Sequence, residues 1–563
     1  MPKGRSSKLV FKPYNQDQDV LFAYSLQDLV PEKHPARLIS KIIDQIDISE
    51  IINSYSGGGA SRYSPKMLLK VIFFSYYNNV YSCRGIAQNV VESVPCMWLA
   101  AGQKPDYRTI NAFRGGKLKN AIDNIFKQVT NLLIENHLVS LDTVFVDGTK
   151  VESVAGRYSF VWKKSVEKNE NNLKEKIKVV LEEITESINQ DNKTIDLTES
   201  SCEINSENLE KSIEKINQAI KEKKELANKT EKKAIKKVEC TVVKLQKNVE
   251  KLKDYEEKSK ILGDRNSYSK TDTDATFLRL KDGNLRPAYN VQISTENQCV
   301  LNYSIHQTAA DTGTFVPHME KFKELHDCSP AKTVADGAYG SMENWEYCAN
   351  NDIDNYLKYN TFHQESKDSY KYDISKAENL YYNKQEDYFV CPMGQRMTNA
   401  GTKTVVTKNK YEYEVSMYVA QNCNGCPLRG ACHKSKTNRK IDYNSKMKEH
   451  KKTARENLNS ELGIELRKRR SYDVEPVFGD IKFNRRFHRF RMTGLEKANL
   501  EIGLLSTVHN LKKLHKHITR KMSDLFILFQ NIQNLGLIML YPSHKNRKLI
   551  LFEFPINKFQ SAA

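Results

Sequence analysis

Two short apolar runs constrain this chain more than any other feature. Residues 143–146 read T-V-F-V and lead into Asp147-Gly148; residues 332–335 read K-T-V-A and lead into Asp336-Gly337. An apolar, β-branched run without polar alternation predicts a strand covered on both faces, and Asp-Gly behind it predicts a turn. Two such strands side by side bring two carboxylates to one edge of a sheet. The fold class that follows is α/β.

The stretch between these strands is of another kind. From Lys163 to Lys260 the composition shifts to Lys, Glu, Asn and Ile. Leu173, Ile177, Val180, Ile184 and Ile188 form one apolar stripe, Leu209, Ile213, Ile216 and Ile220 a second, and Val238, Val242, Leu245, Val249 and Leu252 a third. With the polar gap Gln190 to Ser206 as a loop, the segment predicts a coiled-coil helical hairpin inserted into the surrounding domain. Its charged exterior is what solvation alone demands; dimerisation or DNA synapsis is the sharper role. β pattern resumes at Phe277, turns at Asp282-Gly283 and alternates Tyr289, Val291 and Ile293 against Asn290 and Gln292. Cys299 to Ile305 supplies another strand, and a helix is expected around His318 to Leu325.

A chain of 563 residues exceeds one hydrophobic core. From Gln16 to Lys119 it reads as a run of helices, with Ser64-Pro65 an N-cap followed by proline at the first helical position. Arg84, Lys104, Arg108 and Arg114 are spread among the shorter ones and predict a DNA-binding module. The net charge of +19 agrees, because such a surplus favours a polyanion. Nothing behind the basic leader resembles a secretory h-region, and Gln530, Asn531, Gln533 and Asn534 interrupt the apolar segment Leu525 to Leu540. Neither a signal peptide nor a membrane span is expected. Eleven scattered cysteines fit a reducing cytoplasm better than a disulfide framework.

A third acid comes late, in R-S-Y-D-V-E-P-V-F-G-D-I-K, residues 470–482. On a regular helix Glu475, Gly479 and Lys482 share one face, although Pro476 disfavours helix at the residue before it. Two strand-end aspartates and a helix glutamate place enough hard oxygens together for one or two Mg²⁺ or Mn²⁺ ions. Paired ions roughly 3.5–4 Å apart suit phosphodiester displacement. Lys482, Arg485, Arg486 and Arg489 are placed to hold phosphates beside them. Glu152, Asp272, Asp274, Asp311 and His318 are rival ligands near the same strands, with Asp274 the first to test.

Cys423, Cys426 and Cys432 lie close together, and Cys391 in F-V-C-P-M-G offers a fourth thiol. A C-x2-C knuckle with two more thiols suits a closed structural Zn²⁺ site, with His433 as a substitute ligand.

These motifs together resemble the insertion-sequence transposases of the Asp-Asp-Glu class, and most of all the family numbered eleven-eighty-two. V-F-V-D-G-T-K-V-E-S resembles the segment of the first aspartate, T-V-A-D-G-A-Y-G the second, and the 470–482 stretch the glutamate helix. T-D-T-D-A-T-F-L-R-L-K-D-G-N-L-R-P-A-Y-N-V-Q-I-S and P-D-Y-R-T-I-N-A-F-R resemble it too, so the likeness covers most of residues 15–515. The resemblance implies an RNase-H-like mixed five-stranded sheet carrying Asp147 on its first strand and Asp336 on its fourth, with Glu475 completing a catalytic triad. It also implies DNA partners, namely terminal inverted repeats and target, and work as a homodimer or larger assembly. Related transposases carry an arginine four residues before the glutamate and a lysine seven after. Lys482 matches, whereas position 471 is serine and the arginine is Arg470. The domains expected are a helical DNA-binding domain (1–130), core pieces (131–162, 265–345, 460–515), the hairpin (163–264), a cysteine-bearing insertion (346–459) and a helical tail (516–563). A nuclease of the same core, a relic that only binds DNA, and a coiled-coil DNA-organising protein are the competing readings.

Overall fold

The computed structural model describes residues 25–56, 61–189, 204–226 and 229–534. The chain divides into two compact units, 1–512 and 513–563.

Among the described residues, seven helices open the first unit: α1 (Pro35–Gln45), α2 (Ser49–Asn53), α3 (Pro65–Tyr77), α4 (Cys83–Glu92), α5 (Val94–Leu99), α6 (Tyr107–Ala112) and, after a π-helical turn at Phe113–Lys117, α7 (Leu118–Glu135). Pro65 opens α3, which is apolar almost all round and buries Met67 through Leu69 and Val71 through Phe74. A helix without a polar face belongs at a bundle centre. Asp106 caps α6 by accepting the amide of Thr109 at 2.7 Å. α7 carries the bundle to the sheet, where Phe126 meets Tyr303 edge to face with ring centres 5.0 Å apart.

Then come β1 (Thr143–Glu152) and β2 (Phe160–Trp162), followed by three long helices, α8 (Lys163–Asn189), α9 (Ser206–Leu226) and α10 (Lys229–Leu262). β3 (Ser267–Ser269) pairs antiparallel with β2, so the insertion leaves and re-enters the core at one point. Among the described residues the insertion carries three helices, where a two-helix hairpin was expected. Leu173, Ile177, Ile184, Leu209, Ile213, Ile216, Ile220, Val242, Leu245, Val249 and Leu252 form one buried cluster among them. Most of the expected loop Gln190 to Ser206 lies outside the described residues.

β4 (Thr276–Arg279), β5 (Leu285–Glu296), β6 (Cys299–His306), α11 (Phe315–His326), β7 (Lys332–Ala335), α12 (Met342–Asn350) and β8 (Asp354–Leu357) complete the central sheet. Its order is β4-β5-β1-β7-β8, with β6 also on β5; β4, β5, β6 and β1 are antiparallel neighbours, and β1, β7 and β8 run parallel. β1 does not turn at Asp147-Gly148 as expected. It continues to Glu152, because residues 145–152 stay in register with residues 288–295 of β5. The pairing with β5 holds the run extended, and the Gly148 amide is satisfied by the Asp147 side chain, which together outweigh the turn preference of the dipeptide.

The next stretch carries α13 (Asp368–Lys371) and an antiparallel meander of β9 (Tyr382–Asn383), β10 (Tyr388–Val390), β11 (Arg396–Val406), β12 (Glu412–Ala420) and β13 (Lys440–Tyr443). Phe389, Met397, Tyr418 and Ile441 form its small core. α14 (Ser445–Asn459), α15 (Glu461–Asp473) and the short α16 (Glu475–Gly479) return the chain to the central sheet, and a π-helical stretch, Asp480–Asn484, follows. α17 (Leu495–Asn534) begins in the first unit, where Asn510 pairs both backbone groups of Val300 on β6, at 2.9 and 2.7 Å. The described part of the second unit is the latter half of this helix. The expected apolar helix Leu525–Leu540 lies partly outside the described residues, and the basic leader wholly so. No helix among the described residues is long and apolar enough to cross a membrane.

Candidate active site

Asp147 and Asp336 meet because β1 and β7 are parallel neighbours. Val146 stands opposite Ala335, so the next residue on each chain is an aspartate. After Ala335 the chain leaves the sheet in a tight turn, with Asp336 Oδ1 accepting the amide of Ala338 at 2.9 Å. Asp147 stays in its strand and accepts the amide of Gly148 at 2.8 Å. Arg470, from the last turn of α15, donates through Nη2 to Asp147 Oδ2 at 3.0 Å and lies 3.7 Å from Asp336 Oδ2. Asp147 is 18% exposed and Asp336 42%, so the pair opens toward solvent on the Asp336 side.

The electrostatics of the pair are unbalanced. Burial pushes the Asp147 carboxyl up to about 6; Arg470 opposes that rise, and Asp336 and Asp311 add to it. One guanidinium therefore does not compensate the carboxylates crowded here. Asp311 is fixed by Asn290 Nδ2 at 2.7 Å and Gln292 Nε2 at 3.0 Å. Gln292 in turn accepts from the Tyr339 hydroxyl. Gly148 makes room for this group: a Cβ there would stand 2.3 Å from Gln292 Nε2 and 3.0 Å from Asp311 Oδ1.

Cations surround the pair. Lys482 donates to Thr149 Oγ1 at 2.5 Å and to the Lys150 carbonyl at 2.8 Å, two and three residues beyond Asp147 on β1. Burial, and secondarily Lys281, pulls its pKa down to about 8. Lys358, just past β8, is held below its ordinary value by burial and by Arg470 and Arg467. Lys358 and Arg467 carry no motif, and only the packing of β8 against α15 reveals them. Arg470 sits between the two aspartates despite its one-residue offset. Glu475 is exposed at the start of α16, and its carboxylate makes no hydrogen bond or ion pair among the described residues.

The rival acids have other employment. Asp272 is buried and accepts from the Tyr289 hydroxyl, Ser153 Oγ and the amide of Gly494. Asp274 caps α17 by accepting the Leu495 amide at 2.9 Å. Glu152 pairs with Arg286 at 3.0 Å and Arg157 at 3.4 Å. His318 is fully buried between Ser294 and Ser304, each 2.7 Å away, and burial holds it neutral. Asp311 alone stays close to the aspartate pair.

The arginines assigned to phosphate divide in the same way. Arg84 and Arg108 are exposed and flank Tyr107, their guanidinium carbons 5.1 and 5.8 Å from its ring centre. Arg486 is exposed with a left-handed backbone, φ 54°. Arg114 is 3% exposed and donates to the Tyr76 hydroxyl at 3.0 Å and the Tyr81 carbonyl at 2.6 Å. Arg485 is 1% exposed and pairs with Asp480 at 2.7 Å. Arg489 donates to the carbonyls of Ser153, Val154 and Ala155. Arg114, Arg485 and Arg489 thus serve the fold's own interior bonds. A cleft of about 460 Å³ beside Gly115 and Gly116 carries two cations not anticipated, Arg491 and Lys497.

Cys391, Cys423, Cys426 and Cys432 line one small cavity with His433. Neither there nor at the aspartates has a set of three or more His, Cys, Asp or Glu closed into a metal-binding arrangement among the described residues.

Paired aspartates at a sheet centre, ringed by lysine and arginine, are the equipment of a nucleic-acid-processing enzyme. Comparison with known families makes this more particular. Residues 390–515 match the family described as a transposase DDE domain, and residues 24–116 match a transposase domain, DUF772. Both matches indicate a transposase function and support DNA as the partner. The first contains Glu475, Lys482 and the four cysteines, whereas Asp147 and Asp336 fall outside both. No curated protein and no solved structure matches the chain.

Proposed function

We propose that this chain is an insertion-sequence DDE transposase that cuts DNA at the element's ends and joins the freed 3′ hydroxyl to target DNA, with Asp147, Asp336 and Glu475 as its catalytic acids. The observation that carries the reading is the parallel register of β1 and β7, which makes two aspartates neighbours under one arginine. The strand sequence β1, β5, β6, β7, β8 supports an RNase-H-like core, since Asp147 lies on the first of the five and Asp336 follows the fourth.

The donor set fits a hard divalent ion. Two carboxylates that a guanidinium leaves under-compensated gain from a further positive charge, and Glu475 has no other partner among the described residues. Mg²⁺ or Mn²⁺ held by Asp147, Asp336 and Glu475, as one ion or two, would supply Lewis-acid polarisation of a phosphate oxygen. Arg470 then becomes free to turn from the aspartates to a phosphate. Lys482, anchored on β1, fixes a positive charge beside Asp147; Lys358 and Arg467 add to the field that draws the backbone in. Arg84, Arg108 and Arg486 are the exposed candidates for positioning DNA through its phosphates. Assembly as a dimer or larger on DNA belongs to the same reading.

The test is nicking of a supercoiled plasmid carrying the element's terminal repeats, with Mg²⁺. Asp147→Asn, Asp336→Asn and Glu475→Gln are each expected to lower the rate at least about 100-fold. Undiminished nicking in all three would sink the triad. Sequence-specific binding by a wild-type protein that never nicks would identify a relic.

A further inference from the structure

We infer that the β9–β13 meander is closed by a structural zinc ion held by the thiolates of Cys391, Cys423, Cys426 and Cys432. This does not depend on the catalytic reading.

The four thiols arrive from two places. Cys391 follows β10 in a tight turn: its amide donates to the Gln395 carbonyl, its carbonyl accepts the Gly394 amide, both at 2.9 Å, and Gly394 takes φ 80°. The other three lie in the connection between β12 and β13, where Gly425 takes φ 71° between Cys423 and Cys426, and Cys432 donates its amide to the Leu428 carbonyl at 2.8 Å. The cavity the thiols line measures about 20 Å³. Roughly 10–15 Å³ is enough for one water-sized guest, so the space takes a single ion and little else.

Arg439 points to the charge that belongs there. It is 5% exposed and has no carboxylate in ion-pair contact among the described residues. Its guanidinium donates to Cys432 Sγ at 2.8 Å and to the Ile374 and Ser375 carbonyls at 2.8 and 2.9 Å, while its amide donates to Cys423 Sγ at 3.4 Å. A buried cation is costly, and the Asp373 carboxylate, which feels the Arg439 charge from beyond ion-pair contact, offsets that cost only in part. Reduced thiols filling a core supply no anion, whereas a zinc tetrathiolate is dianionic and accepts N–H···S bonds from outside. His433 Nδ1 is buried beside the cavity with no hydrogen-bond partner, which makes it the one competitor for the fourth ligand position. The meander has reason to need a staple, since its own core is a handful of side chains.

Zinc content of the purified full chain, measured by plasma mass spectrometry after dialysis, tests this. About one zinc per chain is expected, lost in Cys426→Ser and Cys432→Ser and retained in Cys240→Ser, an exposed thiol of the helical insertion. Should the serine variants fail to fold, the wild-type chain decides: thiol-specific mercurial titration releases the zinc in step with the loss of four thiols. Wild-type protein without zinc after reconstitution, or a folded Cys426→Ser variant with the parent's content, overturns the inference. Loss of zinc in His433→Ala together with its retention in Cys391→Ser overturns the four-thiolate set.

Discussion

Asp147 is where local stability and proposed chemistry oppose each other. Its carboxyl titrates in the folded chain near 6, above the ordinary aspartate value, chiefly through burial. With the folded pKa raised, the native state binds more protons than the unfolded chain between about pH 4 and 6, so its stability falls as pH rises through that window. Above it, the full penalty of the buried charge remains. Asp147→Asn, measured in EDTA by chemical denaturation at pH 7.5, should therefore be more stable than the parent by about 1–3 kcal/mol, with the gain shrinking toward pH 4.5. A gain that persists unchanged at pH 4.5 would remove this cause. Beside it, Gly148→Ala should move the other way. The added Cβ would meet Gln292 Nε2 at 2.3 Å and disturb the bonds that orient Asp311. A loss of about 1–3 kcal/mol is expected from the same denaturation measurement. The aspartates were legible in the sequence because each directly follows a short apolar, β-branched run, although β1 itself runs on to Glu152. Lys358 and Arg467 were not, since single cations reach a site only through the packing of elements that carry no signature.

At the scale of elements, the helical insertion has a buried cluster of its own. Its stripes were legible because helical periodicity is local, and the buried residues of the cluster they form come from α8, α9 and α10. The number of helices was harder, because a third stripe is as consistent with a longer arm as with a third helix. Its attachment is the antiparallel pair β2–β3, with Trp162 opposite Ser267. A two-residue Asn-Gly turn closes such a pair. Replacing residues 163–266 by Asn-Gly should leave a soluble chain that melts cooperatively within about 5 °C of the parent in calorimetry. Insolubility or a lost transition would mean that the core depends on the arm. The 470–482 stretch shows the opposite limit of sequence reading. A regular helix was the natural expectation, yet α15, α16 and a π-helical stretch succeed one another there. Part of that irregularity was legible, since Pro476 stands where α15 gives way to α16; the π-helical stretch, where Arg485 pairs with Asp480 and Lys482 reaches β1, was not.

For the whole molecule, the excess of 88 basic over 69 acidic residues is informative only once interior cations are set aside. A dense run of Arg and His reads as a surface patch, but Arg114 and Arg485 are buried hydrogen-bond donors. Exposed cations should dominate the salt dependence of DNA binding, because each phosphate contact releases counterions and contributes about 0.9 to the slope of log K against log salt. Substituting Arg84 and Arg108 together by Ala, on the surface beside Tyr107, should flatten that slope by about 2 while leaving stability nearly unchanged. Arg114→Ala should leave the slope of the folded protein unaltered and instead cost about 3 kcal/mol, because it strips the Tyr76 hydroxyl and Tyr81 carbonyl of a buried donor. Fluorescence anisotropy of a labelled duplex over a salt series, with denaturation run in parallel, separates the two effects. An unchanged slope in the double variant would move the DNA-positioning surface away from α4 and α6, toward the cleft that carries Arg491 and Lys497.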